Sequence, residues 1–157
     1  MAHTARAATQ QTHDFPALRG MQGGRACYTI MCPLRLIPRL FQYDDTGLPP
    51  EERAQRAINP GRIPEIADYL TQNPDSYILP AITASLDQEA EFVPTGEELV
   101  PLVGMLRIPR EARLLINDGQ HRRAAIERAV TRKRELGHDS IPVLLFIDEG
   151  LKRSQQM

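Results

Sequence analysis

Residues 113–136, RLLINDGQHRRAAIERAVTRKREL, carry the strongest fold signal in the chain. Leu114, Leu115 and Ile116 make a short apolar run suited to a strand, and Asn117-Asp118-Gly119 breaks it. From Gln120 to Leu136 the spacing of Ala125, Ile126, Ala129 and Val130 is helical. The chain therefore passes from strand through a glycine turn into a helix. That turn aims free backbone N–H groups and the positive end of the helix dipole at one point, which suits an anion.

His121, Arg122 and Arg123 add donors in the first turn, where cations oppose the helix dipole. Placement against local preference points to an anionic partner. A purely structural reading stays open beside it: Asp118 caps the helix, Arg123 pairs with Glu127 at i, i+4, and His121 is a solvated side chain.

On either side of this segment, Ile141 to Ile147 reads as a last strand, and Leu99 to Arg107 as another. Tyr77 to Leu86 is rich in strand formers, with Gln88 to Val93 as its expected hairpin partner. Asn59-Pro60 is a helix start, and Ile63, Ile66, Ala67 and Leu70 then fall on one face, predicting a helix from Pro60 to about Gln72. Ala26 to Cys32 and Leu36 to Tyr43 carry strand-like alternation after the glycine loop Arg19 to Gly24, and Asp44 to Pro50 reads as a turn. Residues 1–16 are small and polar and are expected to be a loose lead-in to one domain over 17–157. The expected class is α/β (α+β), a single domain with a mixed sheet and two principal helices.

Composition agrees with one globular domain: 157 residues, 41% hydrophobic and 25% charged. No apolar run is long enough to span a bilayer and the start carries no signal-peptide pattern, so the expectation is a cytoplasmic protein with no membrane contact. Cys27 and Cys32 are five apart on a strand, hence on opposite faces, and suit neither a disulfide nor a metal pair; buried thiols are expected. His3, His13, His121 and His138 are scattered, so no metal site is expected, and no Walker A lysine follows a glycine loop. The lack of tryptophan argues against a stacking platform for single strands.

The net charge of −1 conceals polarity along the chain. Between Arg107 and Arg134 nine arginines and lysines stand against three acids, a local net charge of +6. Seventeen of the nineteen basic residues are arginine, whose fork matches phosphate oxygens; codon bias is the alternative source of that preference. Arg128, Arg132, Lys133 and Arg134 are the candidates for contacting DNA phosphates.

The string Ile116 to Glu127, INDGQHRRAAIE, resembles the DGQHR signature of the DndB family of DNA phosphorothioation (sulfur modification) systems. The segments ALRGMQGGRACYTIMCPLRLIPRLF, LPPEERAQRAINPGRIPEIADYL and LKRSQQM resemble that family too, so the likeness runs from Ala17 to Met157. Members are normally longer, and Leu151 to Met157 reads as the first turns of a continuing helix, so a chain truncated at its C-terminus is expected.

The resemblance implies a DNA-binding regulatory component that acts on double-stranded DNA beside the other phosphorothioation proteins and does not itself transfer sulfur. More distantly, the motif is similar to the phosphate-binding turn of the ParB and sulfiredoxin superfamily. By that likeness Asp118, Gly119, Gln120, His121, Arg122 and Arg123 form a phosphate or nucleotide site, with ATP or CTP and magnesium as its ligand if a nucleotide binds. Where sulfiredoxin-like enzymes carry a nucleophilic cysteine after the glycine, this chain has Gln120, which disfavours their chemistry. Two alternatives remain: a ParB-like nucleotide triphosphatase using Asp118 or Glu127 to place metal or water, and an interaction subunit whose arginine helix packs on an acidic partner.

Overall fold

The computed structural model describes residues 11–43, 59–96 and 102–148. Eight strands form one mixed sheet: β1 (Thr12–Gln22), β2 (Arg25–Pro33), β3 (Phe41–Gln42), β4 (Ile82–Leu86), β5 (Glu91–Pro94), β6 (Val103–Pro109), β7 (Leu114–Asp118) and β8 (Ser140–Ile147). Their order across the sheet is β3-β7-β4-β8-β2-β1-β6-β5. The β3–β7 and β4–β8 pairs are parallel and the others antiparallel. Among the described residues three α-helices join them: α1 (Ile37–Leu40), α2 (Arg62–Gln72) and α3 (Gln120–Arg132). Leu70 of α2 and Ile126 and Ala129 of α3 share a core with Ile30, Ile82, Leu106, Val143 and Leu145 of the sheet.

The first hairpin turns where Gly23 and Gly24 have φ of +58° and +78°, between the paired residues Gln22 and Arg25. Two consecutive positive φ values suit the two-residue turns whose twist matches a hairpin. The loop expected over Arg19 to Gly24 thus shrinks to two residues. β1 begins at Thr12, inside the stretch expected as lead-in, and buries Phe15. Its partner there is β6, so nothing local to this polar stretch signals a strand.

Leu36 to Tyr43 is not the strand that its alternation suggests. A 3-10 turn (Leu34–Leu36) and α1 occupy most of it, leaving Phe41–Gln42 as β3. Pro33 closes β2, and Pro38 sits in the first turn of α1, where its missing N–H costs nothing. Leu34, Ile37 and Phe41 are all buried, a spacing of three and four that belongs to a helix. The turn expected at Asp44 to Pro50 lies outside the described residues.

Strand pairing departs most from the local reading. β5 pairs with β6 and not with β4, because β4 is already hydrogen-bonded on both sides, to β7 and β8. Only the second half of Tyr77 to Leu86 is strand; Ile78 and Pro80 stand exposed ahead of it. Helix α3 ends at Arg132, short of the expected Leu136. Continued helically, Lys133 would fall on the buried face, seven residues after Ile126. The helix instead breaks at Lys133, with φ of −139°, and Leu136 is buried from the 3-10 turn Arg134–His138.

The sheet curls toward the helices, bringing Phe92 of β5 within 5.6 Å of Tyr28 on β2. Gly104 permits the curl: a Cβ there would lie 2.3 Å from the Val93 carbonyl oxygen and 2.9 Å from the Phe92 ring. Gly104→Ala is predicted to lower the unfolding free energy by about 1–3 kcal/mol. Gly96→Ala, where a Cβ meets nothing within 4 Å, serves as the control. Urea titration followed by circular dichroism measures both, and equal stabilities would refute the close approach.

Candidate functional site: the glycine turn and the start of helix α3

β7 delivers the chain to Gly119 beside β4, and no spacer separates strand from helix. Gly119 has φ of +121°, and a Cβ there would come 2.9 Å from Ile82 Cγ1 and 3.3 Å from an Arg122 terminal nitrogen. Glycine is required both for its backbone conformation and for this approach. The helix starts with Gly119 as N-cap, no side-chain cap and no acid in its first turn. Its opening amides consequently lack acceptors within the helix.

The candidate residues go to different places. Gln120 turns its Oε1 back to accept the Gly119 N–H at 3.3 Å. Asp118 is exposed and does not cap the helix; its carboxylate pairs with Arg122 at 3.6 Å. Arg122 donates to the Ala81 carbonyl at 3.0 Å, while its Nε is enclosed without a hydrogen-bond partner. Arg123 turns inward and bridges two carbonyls, Nε to Phe41 at 2.6 Å and a terminal nitrogen to Pro38 at 2.8 Å. It pins α1 and β3 to α3 and makes no ion pair with Glu127. Such a guanidinium, committed to backbone oxygens, has little left for a phosphate.

His121 is engaged, not merely solvated. Its Nε2 accepts the Asn59 N–H at 2.8 Å, while the Asn59 side chain accepts from Gly61 at 3.0 Å as α2 begins. Acceptance at Nε2 places the imidazole proton on Nδ1. Burial, then the neighbouring Arg62 and Arg122 guanidiniums, hold its pKa below the ordinary value. Two helix starts and two arginines thereby meet around one histidine. Sequence spacing missed Asn59 and Arg62 in this role because they lie some sixty residues from the motif; their approach follows from α2 packing on α3.

The basic segment does not form one patch. Arg107 pairs with Asp14 at 3.9 Å and Glu91 at 3.8 Å on the far strands of the sheet, and Arg113 precedes β7 at the end opposite Gly119. Of the DNA-contact candidates, Arg132 is bound to Asp68 at 2.6 Å and Lys133 donates to the Thr71 carbonyl at 3.4 Å. Arg128 and Arg134 are exposed and make no ion pair among the described residues. Cys27 and Cys32 are both buried free thiols away from this site, and burial pushes the Cys32 thiol up to about 12. No described helix is long and apolar enough to cross a membrane.

Arg123→Ala is predicted to destabilise the fold by at least about 2 kcal/mol, since two carbonyls lose a charged donor, whereas exposed Arg128→Ala should stay within about 0.5 kcal/mol. Equal effects in denaturant titrations would contradict the pinning role.

His121 has a lowered native pKa, so the unfolded chain binds more protons below its ordinary value of about 6.5. Stability is therefore full above that pH and is lost as pH falls through the native value. Melting temperature should drop between about pH 7.5 and 5, and less so in His121→Gln, which keeps an acceptor for Asn59. His13, also lowered by burial and by Arg110 against an opposing Asp14, leaves a residual slope of the same sign. An unchanged slope in the variant would remove His121 as the cause.

Residues 15–157 match the model of a family described as DndB, DNA-sulfur modification-associated. No curated protein and no solved structure matches the chain.

Proposed function

The chain belongs to the DndB family of DNA-sulfur modification-associated proteins, and on that basis we propose that it is a DNA-binding regulatory component of the modification system. In this reading it works on double-stranded DNA in the cytoplasm, beside the other proteins of the system. The observation that carries it is the pair of guanidiniums, Arg62 and Arg122, beside His121 at the uncapped start of α3. A backbone phosphate would accept from the uncapped opening amides and the guanidinium ends, and exposed Arg128 and Arg134 extend the cationic surface along and past the helix. Arg123, Arg132 and Lys133 support the helix in place.

A nucleotide phosphate, ATP or CTP with magnesium, is the second anion that suits the same turn, and it would make the site a switch. The triphosphatase alternative asks Asp118 or Glu127 to hold metal or water; Asp118 is turned to Arg122, and Glu127 is exposed on α3.

Fluorescence anisotropy of a labelled duplex, titrated at two salt concentrations with and without ATP, tests the proposal. Wild type is expected to bind with a steep salt dependence. Arg122→Ala and the Arg128→Ala/Arg134→Ala pair should each weaken binding several-fold and reduce the log–log salt slope by about 0.9 for every phosphate no longer neutralised. Arg107→Ala, on the far strands, should leave both unchanged. Salt-insensitive binding, or equal losses for all variants, would reject this surface as the DNA-binding face.

A further inference from the structure

Two arginines between β2 and β3 lie outside the basic stretch from Arg107 to Arg134. In residues 34–40 the side chains of Leu34 and Ile37 are buried, Arg35 and Arg39 are exposed, and no acid is present. Hydrogen bonds fix how this segment lies. Arg35 donates to the Gly137 carbonyl at 3.3 Å just past the end of α3, and Arg123 donates to the Pro38 and Phe41 carbonyls near its start. The segment therefore runs antiparallel along α3. It occupies the flank away from α2, because Arg123 lies about 200° round the helix from His121, which holds Asn59.

Guanidiniums consequently gather at both ends of α3. At the start Arg39 follows Pro38, with Arg62 on the other flank beside His121. At the end Arg35 reaches Gly137, and Arg134 belongs to the same 3-10 turn. The 13 residues of the helix set the two ends about 20 Å apart. Arg39, Arg62, Arg128 and Arg134 make no ion pair among the described residues. No large apolar side chain of the described residues is exposed on α1 or α3; those that are exposed lie on the strands, on the loops before them and on α2. A protein partner needs an apolar centre to its contact, whereas a DNA interface is polar and strongly positive. The chemistry of this surface is that of the second.

We propose, resting on the DNA-binding reading above, that the duplex lies lengthwise along α3 and is held at both ends of the helix, with Arg39 and Arg35 as phosphate contacts on the α1 flank. Arg39 and Arg62 flank the uncapped start, where the opening amides already favour an oxygen anion. Duplex DNA carries one negative charge per about 1.7 Å of axis, so about 20 Å of it offers on the order of twelve phosphates to the two clusters. Glu127 is the sole acid of α3, exposed near its middle beside Arg128. The two offset each other there. Net positive charge is thus concentrated at the ends of the helix.

Anisotropy titration of a labelled duplex with the full chain tests this in Arg39→Gln and Arg35→Gln, which keep much of the side-chain stem. Each is expected to weaken binding several-fold and to lower the log–log salt slope by about 0.9, and the double variant by about twice that. Glu127→Gln should bind more tightly than wild type. Arg110→Gln, exposed just past β6 on the far strands, should change neither affinity nor slope. Melting temperatures separate a lost contact from a loosened fold at Arg35, which also holds Gly137; Arg39 carries no such bond and decides the matter. A wild-type slope in Arg39→Gln, with Arg122→Ala weakened, would overturn the two-ended grip and leave the DNA reading standing. No duplex binding by wild type at any salt would remove both, and polyglutamate binding that Arg39→Gln abolishes would then assign the surface to an acidic protein.

Discussion

The chain passes Ile82 so closely at Gly119 that a hydrogen is the largest substituent accommodated there, and the geometry of the site follows from that approach. With β7 held against β4 and a positive φ at the turn, α3 starts at once. Its next three side chains then reach three separate segments: His121 finds Asn59, Arg122 finds Ala81, and Arg123 finds Phe41 and Pro38. A spacer residue would rotate all three away from their partners, since each added helical residue turns the face by about 100°. One steric constraint thus sets the register of the whole motif.

That register divides the arginines into two kinds. Arg123 is a strut, its fork satisfied by two backbone carbonyls, and Arg132 is held by Asp68. Arg122 is only partly satisfied, and Arg62 stands near it against the same histidine. Guanidinium serves both uses because its planar five-donor group can donate to peptide carbonyls as well as to phosphate oxygens. Counting charge along the sequence could not separate the two, and it overstated the patch by including Arg107, which the far strands neutralise with Asp14 and Glu91.

The sheet keeps its two faces distinct in the same way. Toward the helices it offers Tyr28, Ile30, Val143 and Leu145, all buried, and the curl at Gly104 closes that side over Phe92. Away from them it offers Leu18, Met31 and Val103, left open to solvent. Alternation along each strand makes both faces apolar here, so the sheet has an apolar surface left over once its helices are in place.

Residue pattern alone is enough for the mixed α+β class, the strand, glycine turn and helix from Leu114 onward, the start of α2 near Asn59, and membership of the family. These are readable because apolar period, proline and glycine act within a few positions of one another, although the caps expected of Asn59 and Asp118 do not form: α2 starts from Gly61 and α3 from Gly119, neither with a side-chain cap. Long-range packing was needed to make Thr12 to Pro16 a strand, to pair β5 with β6, to break α3 at Lys133, to turn Arg123 inward and to bring Arg62 to the site. Each of these turns on a partner distant along the chain, chosen by burial and by which strand edges remain unpaired. Local residue patterns do not encode such partners, because hydrogen-bonding edges and apolar faces are interchangeable until the core has formed.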